Sequence, residues 1–511
     1  MPVNPYGAAR IKSGLAHFLL GKLLSSIATI AYFVLLVRLL PLEEFAAYTV
    51  LTGLVDVVGS LSGLGLMHIM QRYIPELYGS HQNSALRIVF GRLLVARIAV
   101  LLVFLLAMYF SSRWLAPQLG LAAWQSIFLM YLWVILLRTL SALLFVALES
   151  MLHQGSAQFA NSMSAFIRLI GLLALSYQGS VSFEAVLWVE ICAEIPACVA
   201  MMVAFARLVP AADSALHRAS GQRWMVANTR RMLDFGLKAY AQSLLVVPVN
   251  GAFDRLLIGG RLPSTEIALF GFGQWVYDLM QRFLPAQLLH GLYRPVMNAR
   301  YSKNQSFSEI VSLSNLILKI NIALVGAVAV VFVAGGGGFI RALTGGKFDH
   351  NALLLCELMC IYMVVISWRH VLDQVSHTTE HNEALIWSNI VLCVSVIPGI
   401  LALPWAGVYA LPSAHIFGVT AGNFMLLYQL RRHGLVFKHQ TGTLLAILLV
   451  IALVCAGAVL LTLLGLPWFA NIPIALTAYA LLLICVYPTT AGEWDLVMSL
   501  VKNRRFAQSG A

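Results

Sequence analysis

The stretch LLAILLVIALV at 444–454 is apolar on every face, and so is AVLLVFLLAM at 99–108. LLVRLL at 35–40 is interrupted only by Arg38. A strand of a membrane barrel would alternate apolar and polar residues. These runs do not alternate, so they read as helices whose solvent is lipid. Comparable runs recur at 15–40, 46–70, 88–111, 122–148, 160–177, 183–206, 235–260, 267–292, 313–340, 352–376, 384–403, 406–430, 442–465 and 469–489. Composition agrees: 60% of the chain is hydrophobic and 11% charged, where a soluble domain carries roughly 25% charged residues. Mean hydropathy is +0.84. The expected fold is all-α, a polytopic membrane protein of about 14 transmembrane helices.

The net charge of +12 would suggest nucleic acid in a soluble protein. Here it follows from basic residues collecting in cytoplasmic loops, and no nucleic-acid partner is expected. Eighteen Lys and Arg residues, from Arg10 and Lys12 through Arg230 and Arg231 to Arg504 and Arg505, fall on one side of the expected spans. Only Arg113, Arg261, Arg341 and Lys347 fall on the other. Both termini are therefore expected in the cytoplasm. Ser80 and Ser220 should face that side, and Ser264 and Asn471 the outside. Arg10 and Lys12 precede a run interrupted by His17 and Lys22, without a small-residue cleavage site. It is expected as the first permanent helix. The seven cysteines all lie in apolar runs and read as core residues; no metal site is expected.

The longest connection, at 207–233, is basic and divides the chain. A shift of 222 residues places Gly14 on Gly236, Leu40-Pro41 on Leu262-Pro263, Glu44 on Glu266, Asp56 on Asp278, His68 on His290 and Arg72 on Arg294. Coincidence of rare residue types in one register marks an internal repeat. Both copies start on the same side, so the repeat is parallel. The expected organisation is an N-lobe of helices one to six (1–206), a cytoplasmic linker (207–233), and a C-lobe of helices seven to twelve (234–432). Helices thirteen and fourteen (433–490) and an amphipathic cytoplasmic tail (491–511) complete it.

An ionisable residue deep in a membrane helix costs about 2.5–3.5 kcal/mol on insertion scales and normally faces a cavity or a partner. The cavity candidates are Lys22, Asp56, Arg138, Arg168, Asp254, Arg255 and Asp278. Arg97, Glu190 and Glu194 are equally deep. Asp56 shares a helix face with Thr52, Gly59 and Gly63, and Asp278 shares one with Gln274 and Gln281. Each face reads either as a cavity wall or as a buried contact inside its lobe. Arg138 and Arg168 could pair with Glu190 or Glu194, or bind an anionic substrate. Arg369 and Asp373 form an i, i+4 pair. In the seventh span, Pro248 removes a backbone donor and Gly251 weakens the helix beside it. A gate or kink is expected there, facing the space between the lobes.

Several chemistries are excluded. GGGGFIRALTGGKFD lacks the glycine and the Ser or Thr of a phosphate loop. No zincin or nucleophile-elbow motif occurs. A membrane-embedded glycosyl transferase or polymerase would need catalytic acids on a sizeable outer loop, and the loops are short. The chain reads as a transporter rather than an enzyme.

VRLLPLEEFAAYTVLTGLVDVVGSLSGLGLMHIMQRYIPE (37–76) resembles the opening of the polysaccharide transporter, or Wzx-type flippase, family. IRALTGGKFDHNALLLCELM (340–359) resembles that family's outer turn before its tenth helix. The resemblance implies the multidrug/oligosaccharidyl-lipid/polysaccharide exporter superfamily and a bacterial inner-membrane protein. Its expected cargo is undecaprenyl-diphosphate-linked oligosaccharide for O-antigen, capsule or exopolysaccharide, moved by alternating access. Partners would be the lipid-linked oligosaccharide, membrane lipid, a polysaccharide polymerase and chain-length proteins. No cofactor is expected, and coupling to Na⁺ or H⁺ is left open. A cationic cavity built on Lys22, Arg138, Arg168 and Arg255 would shelter the diphosphate. The alternative is an ion-coupled multidrug (MATE-like) exporter of cationic drugs, which Asp56, Asp254 and Asp278 keep in view.

Overall fold

The computed structural model describes residues 8–209, 215–288, 297, 301, 306–379 and 381–486. Among them secondary structure is helical, with no strand. Eleven helical stretches are long and apolar enough to cross a membrane. One of these, 383–432, contains two successive helices. The chain is a multi-pass helical membrane protein that folds as two compact units, Met1–Arg261 and Leu262–Ala511.

The first unit holds α1 (Ala8–Leu39), α2 (Leu42–Leu61), α3 (Leu66–Gly79), α4 (Asn83–Gln118), α5 (Gln125–Ser150), α6 (Gln154–Tyr177), α7 (Phe183–Leu208), α8 (Ala215–Leu244) and α9 (Gly251–Gly259). Pro41 ends α1 and caps α2 with φ −54°, and Glu43 and Glu44 occupy the first turn, where the helix dipole favours negative charge. The repeat copy is built alike: Pro263 precedes α10 (Ser264–Phe283), and Glu266 sits in its first turn. The Leu-Pro…Glu coincidence in the sequence is thus a shared helix start.

Two expectations are corrected here. The second expected span, 46–70, is interrupted: α2 stops at Leu61 and α3 restarts at Leu66. Leu64 (φ 42°) and Gly65 (φ 71°) turn left-handed between them. A Cβ on Gly65 would collide with the Gly236 carbonyl oxygen of α8, so only glycine permits that approach. The segment expected as a linker is helical from Ala215 onward, and α8 packs on α3 and α4. The first compact unit therefore extends to Arg261 and includes the whole seventh span. A core of Tyr73, Leu86, Phe90, Leu144, Leu148 and Phe205 joins α3, α4, α5 and α7.

The second unit holds α10 followed by α11 (Phe307–Thr344), α12 (His350–Thr378), α13 (Asn382–Ala406), α14 (Ala410–Arg432), α15 (Thr441–Leu463) and α16 (Trp468–Val486). α11 is kinked at Gly335. Asn471 Nδ2 donates to the Ala334 carbonyl at 2.7 Å and to the Ala458 carbonyl at 2.9 Å, which ties α16 to α11 and α15. Asn471 is fully buried, correcting its reading as an exposed outer position: the polar side chain satisfies carbonyls inside the bundle rather than water. Arg369 is bonded as expected to Asp373 (2.7 Å), and also to Ser388 and to Asn389 Oδ1 (2.7 Å). The expected cytoplasmic tail at 491–511, with Arg294 and Arg300, lies outside the described residues.

Candidate functional site

Glu190, fully buried on α7, organises the interior of the first unit. Its Oε1 accepts from the Tyr32 hydroxyl of α1 at 3.2 Å and the Tyr48 hydroxyl of α2 at 2.5 Å. Arg138 Nη2 of α5 lies 3.0 Å from the same oxygen. One helical turn on, Glu194 lies 3.6 Å from Arg138 Nε and 3.6 Å from Arg168 Nη2 of α6. Ser141 and Ser164 donate to its two carboxylate oxygens. A buried charge persists in a membrane helix only when paired and hydrogen-bonded. Two glutamates one turn apart on α7 thus meet arginines from its neighbours α5 and α6.

Two adjoining cavities open beside this network. One, of about 430 Å³, is lined by Arg138, Ser141, Asn161, Ser164, Arg168 and Glu194 together with apolar residues of α3, α5 and α7. The other, of about 470 Å³, is lined by Asp56, Gly59, Ser60, His68, Arg97, Arg138, Thr139, Tyr240, Ser243 and Asn250, among others. Met67, Arg138 and Ala142 belong to both walls. Arg138, Arg168 and Glu194 line the first cavity, and Arg97, Arg138 and Asp56 line the second. Each wall therefore has one more arginine than carboxylate.

The broken seventh span supplies one side of the larger cavity. α8 ends at Leu244, a 3₁₀ turn covers Val247–Val249, and α9 starts at Gly251. Pro248 sits in that turn. Asn250 caps α9, its side chain accepting from the Ala252 N–H at 3.3 Å. The break expected at Pro248 and Gly251 is present, and Tyr240, Ser243 and Asn250 around it face the cavity.

The sequence candidates separate into groups. Arg138 and Arg168 line the cavities. Asp56 lines the larger one, and its carboxylate lies 3.7 Å from Arg255 Nη2 of α9. Arg255 Nη1 donates to Thr52 Oγ1 at 3.0 Å, so this pair joins α2 to α9. Asp254 is buried on α9 and is not among the lining residues. Lys22, half-buried on α1, lies in the electrostatic neighbourhood of Glu149 and is not among the lining residues of either cavity. Asp278 belongs to the second unit, where it accepts from Gln274 Nε2 at 2.9 Å. Tyr277, Tyr362 and His415 stack beside that face. Sequence reasoning noted Arg97 as deep without placing it in the site, and passed over Asn161, Ser243 and Tyr240. Arg97 and its depth were the one usable signal among these. No group that could hold a metal ion occurs among the described residues.

The geometry is thus that of a multi-pass helical membrane protein of two compact units, with charged cavities among the helices of the first. Residues 11–288 match the model of the polysaccharide biosynthesis protein family, and the chain belongs to that family. Its fold is similar to a solved lipid II flippase MurJ in an inward closed conformation, with TM-score 0.68 and 13% identity over 94% of this chain and 99% of that one. It is also similar to an inward-facing multidrug resistance MATE family transporter of the MOP superfamily (TM-score 0.60, 11% identity, 80% and 94% coverage). The MATE multidrug transporter DinF-BH matches as well (TM-score 0.56, 15% identity, 85% and 97% coverage). No curated protein sequence matches significantly.

Proposed function

We propose that this chain is a flippase. It moves undecaprenyl-diphosphate-linked oligosaccharide across the bacterial inner membrane by alternating access, for O-antigen, capsule or exopolysaccharide assembly. The observation that carries this reading is the pair of cavities meeting at Arg138, each with an excess of arginine over carboxylate. A diphosphate and a sugar cannot cross hydrocarbon unaided, and charge-assisted contacts from arginine are the usual means of holding a phosphate oxyanion. Asn161, Ser141, Ser243 and Tyr240 add hydroxyl and amide groups suited to sugar hydroxyls. Membership of the polysaccharide biosynthesis family and the fold shared with a lipid II flippase support the same reading. An exporter of cationic drugs would need the opposite field, and Asp56, the carboxylate of the larger wall, is already engaged by Arg255. The chain performs no covalent chemistry in this account. A polymerase and chain-length proteins would act on its product outside, with both termini inside.

The test is deletion of the gene, followed by complementation. The expected result is loss of surface polymer, accumulation of lipid-linked precursor inside, and unchanged resistance to cationic drugs. Intact polymer together with drug sensitivity would replace the flippase by the exporter.

A further inference from the structure

The buried cations of the first unit are not equivalent. Arg138, Arg168 and Arg255 each lie within 4 Å of a carboxylate, and Lys22 feels Glu149. Arg97, at the middle of α4, has no exposed surface and, among the described residues, no carboxylate at ion-pair distance. Its one hydrogen bond among those residues runs from Nη2 to the Gly59 carbonyl at 2.9 Å. Nε and Nη1, which carry three of the five N–H donors of a guanidinium, are buried without a partner. The carbonyl end of α2 offsets only roughly half a charge. A guanidinium so placed stays desolvated and under-compensated.

The space beside it is open. Gly59, whose carbonyl holds Arg97, meets nothing within 4 Å of where a Cβ would stand. Gly59, Ser60, Gly63 and Arg97 together line the larger cavity. We propose that Arg97 is the oxyanion subsite of that cavity, the residue that takes a phosphate-type group of the substrate. This rests on the flippase reading and deepens it. An anion arriving at Arg138 or Arg168 must displace Glu190 or Glu194, whereas at Arg97 it displaces no protein carboxylate. Of Arg97, Arg138 and Arg168, Arg97 is therefore the one at which the full charge–charge gain is available. Asp56, one turn before Gly59 on the same face of α2, is held by Arg255, which limits its repulsion of the incoming group. Because Arg97 is covered, contact requires the cavity lining beside Gly59 to part locally as the anion settles.

The experiment measures binding of two probes to the purified full chain in nanodiscs: inorganic pyrophosphate, and a polyprenyl diphosphate. Arg97→Gln should weaken both by about tenfold or more, with Arg97→Lys recovering part of the loss. Arg168→Gln should weaken both less, because it frees a glutamate and a cavity hydroxyl rather than an uncompensated site. Gly59→Val leaves Arg97 in place, and its Cβ meets no protein atom within 4 Å, so the chain should fold and binding should fall comparably. Binding of inorganic pyrophosphate alone, lost in Arg97→Gln, would keep the anion subsite and remove the lipid-borne substrate. Wild-type binding in folded Arg97→Gln would overturn the proposal. Should that variant not fold, wild-type binding in Gly59→Val would overturn it equally.

Discussion

Asp56 and Asp278 occupy one register of the internal repeat and meet different fates. The Asp56 side chain is 56% exposed, borders a cavity of about 470 Å³ and pairs across helices with Arg255 at 3.7 Å. Asp278 is half-buried and accepts from Gln274 one turn earlier on its own helix. The shared helix start and face show what the repeat preserves, namely backbone and position. The partners on neighbouring helices decide the chemistry. In the first unit those neighbours bring arginines, Arg97, Arg138 and Arg255, and the acid face becomes a cavity wall. In the second, α12 and α14 bring Tyr362 and His415, which stack with Tyr277 beside the corresponding face.

The largest effect expected from this difference lies in the first unit's buried network. Arg138→Gln leaves Glu190 at 0% exposure with two tyrosine hydroxyls and no cation. Loss of one partner from a buried pair costs about 3–5 kcal/mol. Thermal unfolding in detergent should show that loss, and adding Glu190→Gln should restore most of it. Equal stability of the single variant and the wild type would mean that the pair is not formed in the folded protein. A smaller effect separates the two aspartates. Asp56→Asn removes a half-exposed pair and should cost no more than about 1 kcal/mol, yet it should alter export, because it changes the charge of the cavity wall. Asp278→Asn should have a comparably small stability effect and leave substrate binding in the first unit unchanged. Equal export defects from both substitutions would erase the contrast.

Much of this was legible in the residues. Uniformly apolar runs set the helices, and the Leu-Pro…Glu coincidence located two equivalent helix starts. Pro248 with Gly251 marked the break now seen on the cavity. The pairing of Arg138 and Arg168 with Glu190 and Glu194 was open as one of two readings, because buried charges need partners whichever role they serve. The turn at Ser62–Gly65 was hidden, since LMHIM continues the apolar pattern and only the approach of Gly65 to Gly236 explains the interruption. Tyr32 and Tyr48 could not be assigned to Glu190, since helical period identifies a face without naming what lies opposite. The same limit hid Arg97: its depth could be read, but its lack of a carboxylate depends on which helices surround it. The helicity of 215–233 was masked by its polarity, which resembles a linker until α8 is seen against α3 and α4.

The central claim is that Arg138, the arginine common to both cavity walls, helps to hold the substrate beside Arg97, and the charge-balanced pair Arg138→Gln with Glu190→Gln tests it without leaving a lone buried charge. The measurement is the rate at which the purified double variant, in proteoliposomes, moves undecaprenyl-diphosphate-linked sugar, with folded protein verified by its thermal midpoint. The account predicts a fall of about tenfold or more with the fold retained. Transport at the wild-type rate by a folded double variant would contradict it.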